Sequence, residues 1–378
     1  MKALKWIIQY DTLDSDEERI CGLSSLTLCD YKISLLTRQE YRVDIISPSI
    51  TQKKWKFFSR KTKILNSNVR LILFSTFGLT GKFGLFVSKM VSMVQLFIYL
   101  LLNVKKNEII VVSHSLIFCM PVYLAKKIRR FQLLLDFGEE YNKVKKGNKI
   151  YQYFEPKLIK AADKFIFSNN LLTKAYGVER DKAVVIYGQY IRASETNIKD
   201  KIADNRTHVV YAGIISSDEG SVYRAIELAN YLDENFCIHI LGEVPKHEEK
   251  KFYSLIERSL GGCQVIYEGV KKGKEFFDTL SQYHIGLNLR DSKAEYIDFA
   301  FPSKCLTYLS AGIHVVSSDI KCVRKSKVGN LIHFYTKNSL EDVAQTIKQV
   351  DLNSEYKPNE QLVALDQEAA EKLALLLS

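Results

Sequence analysis

The chain has 378 residues, 47% hydrophobic and 26% charged, with 54 Lys and Arg against 43 Asp and Glu for a net charge of +11. That length is too great for one ordinary core and suits two domains, and the apolar content excludes an intrinsically disordered chain. The seven cysteines are odd in number and scattered, with no Cys-x-x-Cys, and the seven histidines show no His-x-x-x-His; a disulfide framework and a metal site are both unexpected, and a reducing cytoplasm fits.

Short β-rich runs alternate with helical stretches along the whole chain, the pattern of parallel sheets with crossover helices. Residues 5–10 read as a strand, since the run around them is too short for a secretory leader and lacks its cleavage site. An acidic loop (Asp11, Asp14, Asp16, Glu17, Glu18) precedes a helix ending near Arg38. Strands are expected at 42–47, 69–74, 108–113, 131–136, 164–167 and 183–187. A polar stretch at 192–206, almost free of bulky apolar residues, interrupts the pattern. It restarts with strands at 208–211, 237–241, 264–267, 285–288 and 314–317, helices at 221–232 and 303–310, and a last helix at 361–377. The expected organisation is α/β: an N-terminal domain over 1–190, a linker over 191–206, a C-terminal domain over 207–360 and a terminal helix over 361–378.

The charge is lopsided. Residues 1–190 hold 31 Lys and Arg against 16 Asp and Glu, and residues 45–107 hold 11 basic residues and no acidic one. Lys53, Lys54, Lys56, Arg60, Lys61 and Lys63 are interleaved with Trp55, Phe57 and Phe58. Each basic residue near an anionic leaflet is worth about 1 kcal/mol, and aromatics anchor at the interface. No nucleic-acid-binding motif accompanies the run. The expected partner is therefore an anionic membrane surface, met through basic residues 53–106, and not nucleic acid. Residues 83–104 are the most apolar of the chain, a helix of about 33 Å. Ser88, Lys89, Ser92 and Gln95 interrupt it, so a helix buried in the domain or lying at the lipid surface is expected in preference to a lone span.

Ligands of parallel sheets sit beyond the carboxyl ends of the strands. Three expected strand ends of the second half carry glycine: Gly213 (with Gly220 before the next helix), Gly242 beside Glu243, and Gly269 beside Val270. One such glycine is ordinarily a turn, but three on adjacent loops offer open backbone to a diphosphate. The stretch 301–312 reads Phe-Pro-Ser-Lys-Cys-Leu-Thr-Tyr-Leu-Ser-Ala-Gly. Pro302 and Ser303 fit a helix start with Ser303 as its cap. Lys304 and Arg290 would complete an anion site there.

These segments resemble the GT-B glycosyltransferases of the broad family-4 type that build bacterial capsules, exopolysaccharides and O-antigens. The resemblance spans about residues 105–320 and is carried by Phe301–Val316, by the Tyr-Ala-Gly at 211–213, by 158–169 and by 183–188. It implies two Rossmann-like domains facing a cleft, with the terminal helix crossing back to the first. It also implies transfer of a sugar from a nucleotide-sugar donor to a saccharide acceptor, lipid-linked, in cell-surface polysaccharide biosynthesis on the inner face of the cytoplasmic membrane. Retention of configuration, with no cofactor and no metal required, belongs to the same implication.

Carried over, Gly213 would sit at the phosphates and Gly242 and Glu243 on the neighbouring loop. Gly269 and Val270 would lie by the base, and Pro302, Ser303 and Lys304 would present a helix end to ribose and phosphate. His114, in Val-Val-Ser-His-Ser, would lie beside the transferred sugar. The family's two glutamates, eight positions apart, fall on Phe299 and Thr307 here, so Glu295 or Asp298 would supply the carboxylate that grips sugar hydroxyls. Arg290 and Lys304 would stand for the basic pair absent from 213–220, where Ser216, Ser217, Asp218 and Glu219 occur. The lost glutamates leave a non-catalytic scaffold as one rival. A nucleotide-sugar epimerase is another, and the basic run argues against it.

Overall fold

The computed structural model describes residues 2–12, 14–141, 149–190, 201–217, 220–258, 262–290 and 297–378. The chain divides into unit 1, Met1–Ile186 with Glu368–Ser378, and unit 2, Tyr187–Gln367. Of the stretch expected as a linker, residues 191–200 lie outside the described residues. Residues 201–206 belong to unit 2, where Lys201 Nζ donates to the carbonyl oxygens of Ser281 (3.1 Å) and Tyr283 (2.6 Å).

Unit 1 holds β1 (Lys2–Ile7), α1 (Leu23–Arg38), β2 (Tyr41–Ser47), β3 (Phe57–Phe58), β4 (Lys61–Asn66), β5 (Val69–Leu73), β6 (Thr76–Phe77) and α2 (Gly81–Asn103). It continues with β7 (Ile109–Ser113), α3 (Leu116–Arg129), β8 (Gln132–Phe137), α4 (Lys149–Ala161), β9 (Lys164–Phe167), α5 (Asn170–Ala175) and β10 (Ala183–Val185). The sheet order is β10-β9-β8-β7-β1-β2-β5-β4, parallel throughout except for the β4–β5 pair. Its central strands are buried on both faces, which is why β7 and β8 read as unbroken apolar runs: Ile110, Val111, Val112, Leu133, Leu134 and Leu135 are all fully buried. β1 starts three residues before the sequence expectation, because Lys2 already pairs with Tyr41 on β2.

β4 escaped sequence reading altogether. It is an antiparallel edge strand whose residues alternate between exposed and half-buried, so its Lys-Thr-Lys-Ile-Leu-Asn carries no buried face to betray it. The basic run containing it is also partly neutralised. Lys61 pairs with the buried carboxylate of Glu17, Lys53 lies 3.8 Å from Glu18, and Lys63 donates to Thr12 (2.9 Å). The acidic loop thus folds back on the basic one.

α2 packs Met93, Leu96, Tyr99 and Leu100 into the core of unit 1 beside α3, and Ser92 Oγ donates to the Pro48 carbonyl. Its opposite face is just as apolar and stays exposed: Phe83 (79%), Leu102 (76%), Phe86, Val91, Val94 and Ile98. It is long and apolar enough to cross a membrane by length and composition alone.

Unit 2 holds β11 (Thr207–Ala212), α6 (Ser221–Glu227), β12 (Phe236–Leu241), α7 (Glu249–Arg258), β13 (Gln264–Gly269), α8 (Gly273–Leu280), β14 (Ile285–Asn288), α9 (Ser303–Ser310), β15 (His314–Ser318), α10 (Lys321–Arg324), β16 (Ile332–Tyr335) and α11 (Leu340–Lys348). The last helix, α12 (Pro358–Leu376), begins in unit 2 and ends in unit 1. The sheet order is β13-β12-β11-β14-β15-β16, all parallel. The expected helix at 221–232 is α-helical only to Glu227 and tightens to a 3₁₀ turn over Leu228–Tyr231.

Candidate functional site

In unit 2 the strand order reverses between β11 and β14, and loops diverge from the carboxyl ends there to leave a crevice. The loops after β11 and β12 and the end of β13 are tied together by backbone. The Gly213 amide donates to the Leu241 carbonyl (2.9 Å) and the Gly242 amide to the Gly269 carbonyl (3.0 Å). Tyr267 closes the set by donating its hydroxyl to the Gly242 carbonyl (2.8 Å). A Cβ on Gly242 would overlap the Gly213 carbonyl oxygen, a backbone atom that no rotamer change moves aside. A Cβ on Gly213 would instead displace the Lys304 ammonium. Both glycines are therefore needed for close approach.

α9 faces these loops. Pro302 is its N-cap (φ −74°, ψ 109°), with no side-chain cap, and Ser303 is already its first helical residue. This corrects the expectation of a Ser303 cap: Pro302, whose ψ of 109° is extended, is the half-in residue, one position earlier. Pro302 offers no side-chain acceptor to the first amides of α9, which, like those of any helix start, carry partial positive charge. Lys304 Nζ lies 3.0 Å from the Tyr211 hydroxyl and 4.2 Å over the centre of that ring. The Tyr211 face and the Gly213 backbone thus aim the ammonium at the glycine loop.

Tyr308 fixes the helix to the sheet. Fully buried, it accepts from the Ala212 amide (2.9 Å) and donates to the Leu287 carbonyl (3.3 Å), bridging β11 and β14. Burial pushes its hydroxyl far above the ordinary phenol range. Its ring occupies the space that a Cβ on Gly286 would fill.

Together these residues enclose a pocket of about 310 Å³ lined by Ala212, Gly213, Leu241, Gly242, Val270, Lys271, Phe276, Lys304, Thr307 and Tyr308. Its lining combines the apolar side chains of Val270 and Phe276 with glycine backbone, two ammonium groups (Lys271 and Lys304) and the first turn of α9. Lys271 is also paired with Glu275 (2.8 Å). Such a pocket suits a planar ring joined to a polyanion.

Of the residues singled out in the sequence, Gly213, Gly242, Val270, Lys304 and Thr307 line this pocket, and Gly269 (φ 72°) turns the chain beside it. Thr307 Oγ1 donates to its own helix at the Ser303 carbonyl (3.1 Å). Arg290, exposed after β14, and Glu243, exposed on the β12 loop, are not among the lining residues. Asp298 accepts from the Lys321 amide (3.2 Å) and so caps α10. Glu295, Asp218 and Glu219 lie outside the described residues. The neighbouring Ser217 is anchored on Glu248, which accepts from the Ser217 amide and hydroxyl (2.8 Å each) and from Tyr223. Those bonds, Tyr223 first, hold the Glu248 carboxyl down to about 2.

Sequence reading missed Lys271, Phe276 and Tyr308. Tyr308 stood within the quoted Tyr-Leu pair, but its partner glycine on β14 appears only once helix and sheet are packed. Phe276 gave one weak signal, an aromatic in the first turn of the helix after Gly269.

In unit 1, His114 sits after β7 as expected, its amide bonded to the Asp136 carbonyl (2.9 Å). Its ring is almost wholly buried, stacked on Tyr141 (centroids 5.0 Å) and tilted against Phe137 (4.9 Å). Nε2 lies 3.2 Å from Glu155 Oε1 without hydrogen-bond geometry, and that oxygen is engaged by the Tyr141 amide (2.8 Å).

No protein-family description matches the chain, and no curated protein does. Solved structures do. A lipopolysaccharide outer core galactosyltransferase, WaaB in its apo form, superposes with TM-score 0.66 at 12% identity over 100% of this chain and 99% of its own. Sucrose-phosphate synthase from Thermosynechococcus elongatus gives 0.67 at 11% over 99% and 98%. Anabaena HepE in complex with UDP gives 0.60 at 13% over 99% and 100%. These likenesses span both units and both ends of the chain, and the protein therefore has the GT-B fold.

Proposed function

We propose that this protein is a glycosyltransferase whose unit 2 pocket takes a nucleoside-diphosphate sugar. The observation that carries the reading is the convergence of Gly213, Gly242 and Lys304 on one pocket that Val270 and Phe276 also line. The base lies against Val270 and Phe276, and the diphosphate meets glycine backbone, the Lys304 ammonium and the opening amides of α9. As the bond to the sugar breaks, negative charge grows on the departing diphosphate. Fixed donors stabilise that charge without reorganisation. The incoming nucleophile is a saccharide hydroxyl, and the expected stereochemistry is retention. The fold it shares with HepE, solved in complex with UDP, and with a lipopolysaccharide galactosyltransferase supports the donor class and an acceptor in cell-surface polysaccharide synthesis.

The acceptor side is assigned to an anionic, cytoplasm-facing membrane. The support is the exposed apolar face of α2 together with Trp55 (67% exposed), Phe57 and the exposed cations Lys54, Lys56, Arg60, Lys82, Lys105 and Lys106. Apolar insertion and surface charge act together in such a contact.

Titration calorimetry with UDP tests the donor site. A charge-assisted hydrogen bond is worth about 1.5–3 kcal/mol, so Lys304→Ala should weaken UDP roughly 10- to 150-fold. Equal affinity in wild type and variant refutes the assignment of the diphosphate to Lys304. UDP binding without donor hydrolysis or transfer, across a panel of UDP-sugars and acceptors, would favour a non-catalytic scaffold.

A further inference from the structure

We propose a second site in unit 2, near the amino-terminal ends of its central strands: a zinc-class divalent cation held by His208, Cys237 and His239. β11 and β12 pair in register with His208 opposite Cys237, and His239 follows two residues on. All three side chains therefore point to the same face of the sheet. They are buried, and their ligand atoms lie within 4.8 Å of one another. The site is distinct from the pocket, since five residues of strand, about 16 Å, separate His208 from Gly213.

The hydrogen bonding around the two rings is what points to a cation. His208 Nε2 lies 2.8 Å from Asp204 Oδ1, and His239 Nδ1 lies 2.8 Å from Glu268 Oε1. An ionised carboxylate only accepts, so each of these nitrogens carries the hydrogen. The remaining nitrogens, His208 Nδ1 and His239 Nε2, are then both lone-pair bearers, and they face each other at 2.8 Å. Two lone pairs do not approach so closely unless a positive centre lies between them. A proton is the smallest such centre. The third donor, Cys237 sulfur, favours a metal with affinity for nitrogen and sulfur together. A carboxylate on the outer nitrogen of each ligating histidine is also the arrangement that orients metal-binding imidazoles.

Two ring nitrogens on one tetrahedral zinc stand about 3.3 Å apart, so the rings separate by roughly half an ångström on binding. The Cys237 thiol gives its proton to solvent as the sulfur–metal bond forms, and both imidazoles bind as neutral ligands. Tyr283, stacked on His239 with centroids 4.3 Å apart, and His284, stacked on His208 at 5.7 Å, hold the rings in place. The His284 Nδ1 is occupied by the His208 backbone amide (2.9 Å). The ligands escaped sequence reading because the set is a Cys-x-His on one strand completed by a histidine 29 residues upstream, joined only by strand register.

The test uses the full chain, stripped with a chelator, dialysed and titrated with Co²⁺ alone. One cobalt per chain with a thiolate-to-cobalt absorption band, displaced by Zn²⁺, is expected. Cys237→Ser should lose the band, and Cys119→Ser, at a buried cysteine of unit 1, should keep it. Asp204→Asn, on a side chain one-third exposed, should fold as wild type by circular dichroism yet bind Zn²⁺ about 10- to 100-fold more weakly. A packing role alone would not move that affinity. If Cys237→Ser does not fold, the Asp204 variant decides. No stoichiometric uptake by the wild type, a band that survives Cys237→Ser, or unchanged zinc affinity in Asp204→Asn overturns the site and leaves the two histidines sharing a proton.

Discussion

Replacing Tyr308 by Phe keeps the ring that fills the space over Gly286 and removes only the hydroxyl. The Ala212 amide, which donates to that hydroxyl at 2.9 Å, then loses its acceptor inside a fully buried site, and the Leu287 carbonyl loses a weaker donor at 3.3 Å. Leaving one buried donor unsatisfied costs about 1–3 kcal/mol. For a unit of about 180 residues, each kcal/mol moves Tm by about 2–4 °C, so the transition of unit 2 should fall by roughly 2–12 °C. The choice of probe matters. Both tryptophans, Trp6 and Trp55, lie in unit 1, so fluorescence would follow the wrong half, and calorimetry is the assay. A shift below about 1 °C would refute the reasoning, because the Ala212 amide would then have another partner.

Gly242→Ala forces a Cβ onto the Gly213 carbonyl, so it should both lower the unit 2 transition and abolish measurable UDP binding; retention of wild-type affinity would show that the strand-end loops need not touch. Glu248 has a folded pKa of about 2 against an ordinary 4.5, so its contribution to stability is complete above pH 4.5 and is lost as pH falls towards 2. Glu248→Gln should accordingly flatten the pH dependence of urea unfolding across that window, and an unchanged slope would exclude the Ser217 anchor as its source. Wild-type chain should sediment with phosphatidylserine vesicles and release in high salt, with binding reduced by Lys54→Gln with Lys56→Gln and by Val94→Glu on the outer face of α2. Vesicle binding indifferent to all three changes would remove both the charge and the apolar face as the contact.

Much of the frame was legible because parallel strands buried on both faces announce themselves as short apolar runs. β7, β9, β14 and α9 fall within a residue of expectation, and three glycines at successive strand ends located the pocket. What stayed hidden depended on contacts across the chain. β4 is an edge strand with no buried face, so its composition read only as a charged stretch. Asp298 looked like a sugar-gripping carboxylate, yet it caps α10, a role set by where Lys321 falls in space. Arg290 and Lys304 are both cations after β14, but only Lys304 is drawn to the glycine loop, because a helix start and the Tyr211 ring orient it.

The ring of Tyr308 standing where Gly286 has no side chain makes the two positions behave as one locus. Enlarging residue 286 to alanine is tolerable only if residue 308 shrinks, and a shrunken residue 308 gives up the link between β11 and α9. Divergent copies of this chain should therefore exchange bulk between the two positions in concert. A library randomised at both should return paired solutions, with few single changes surviving.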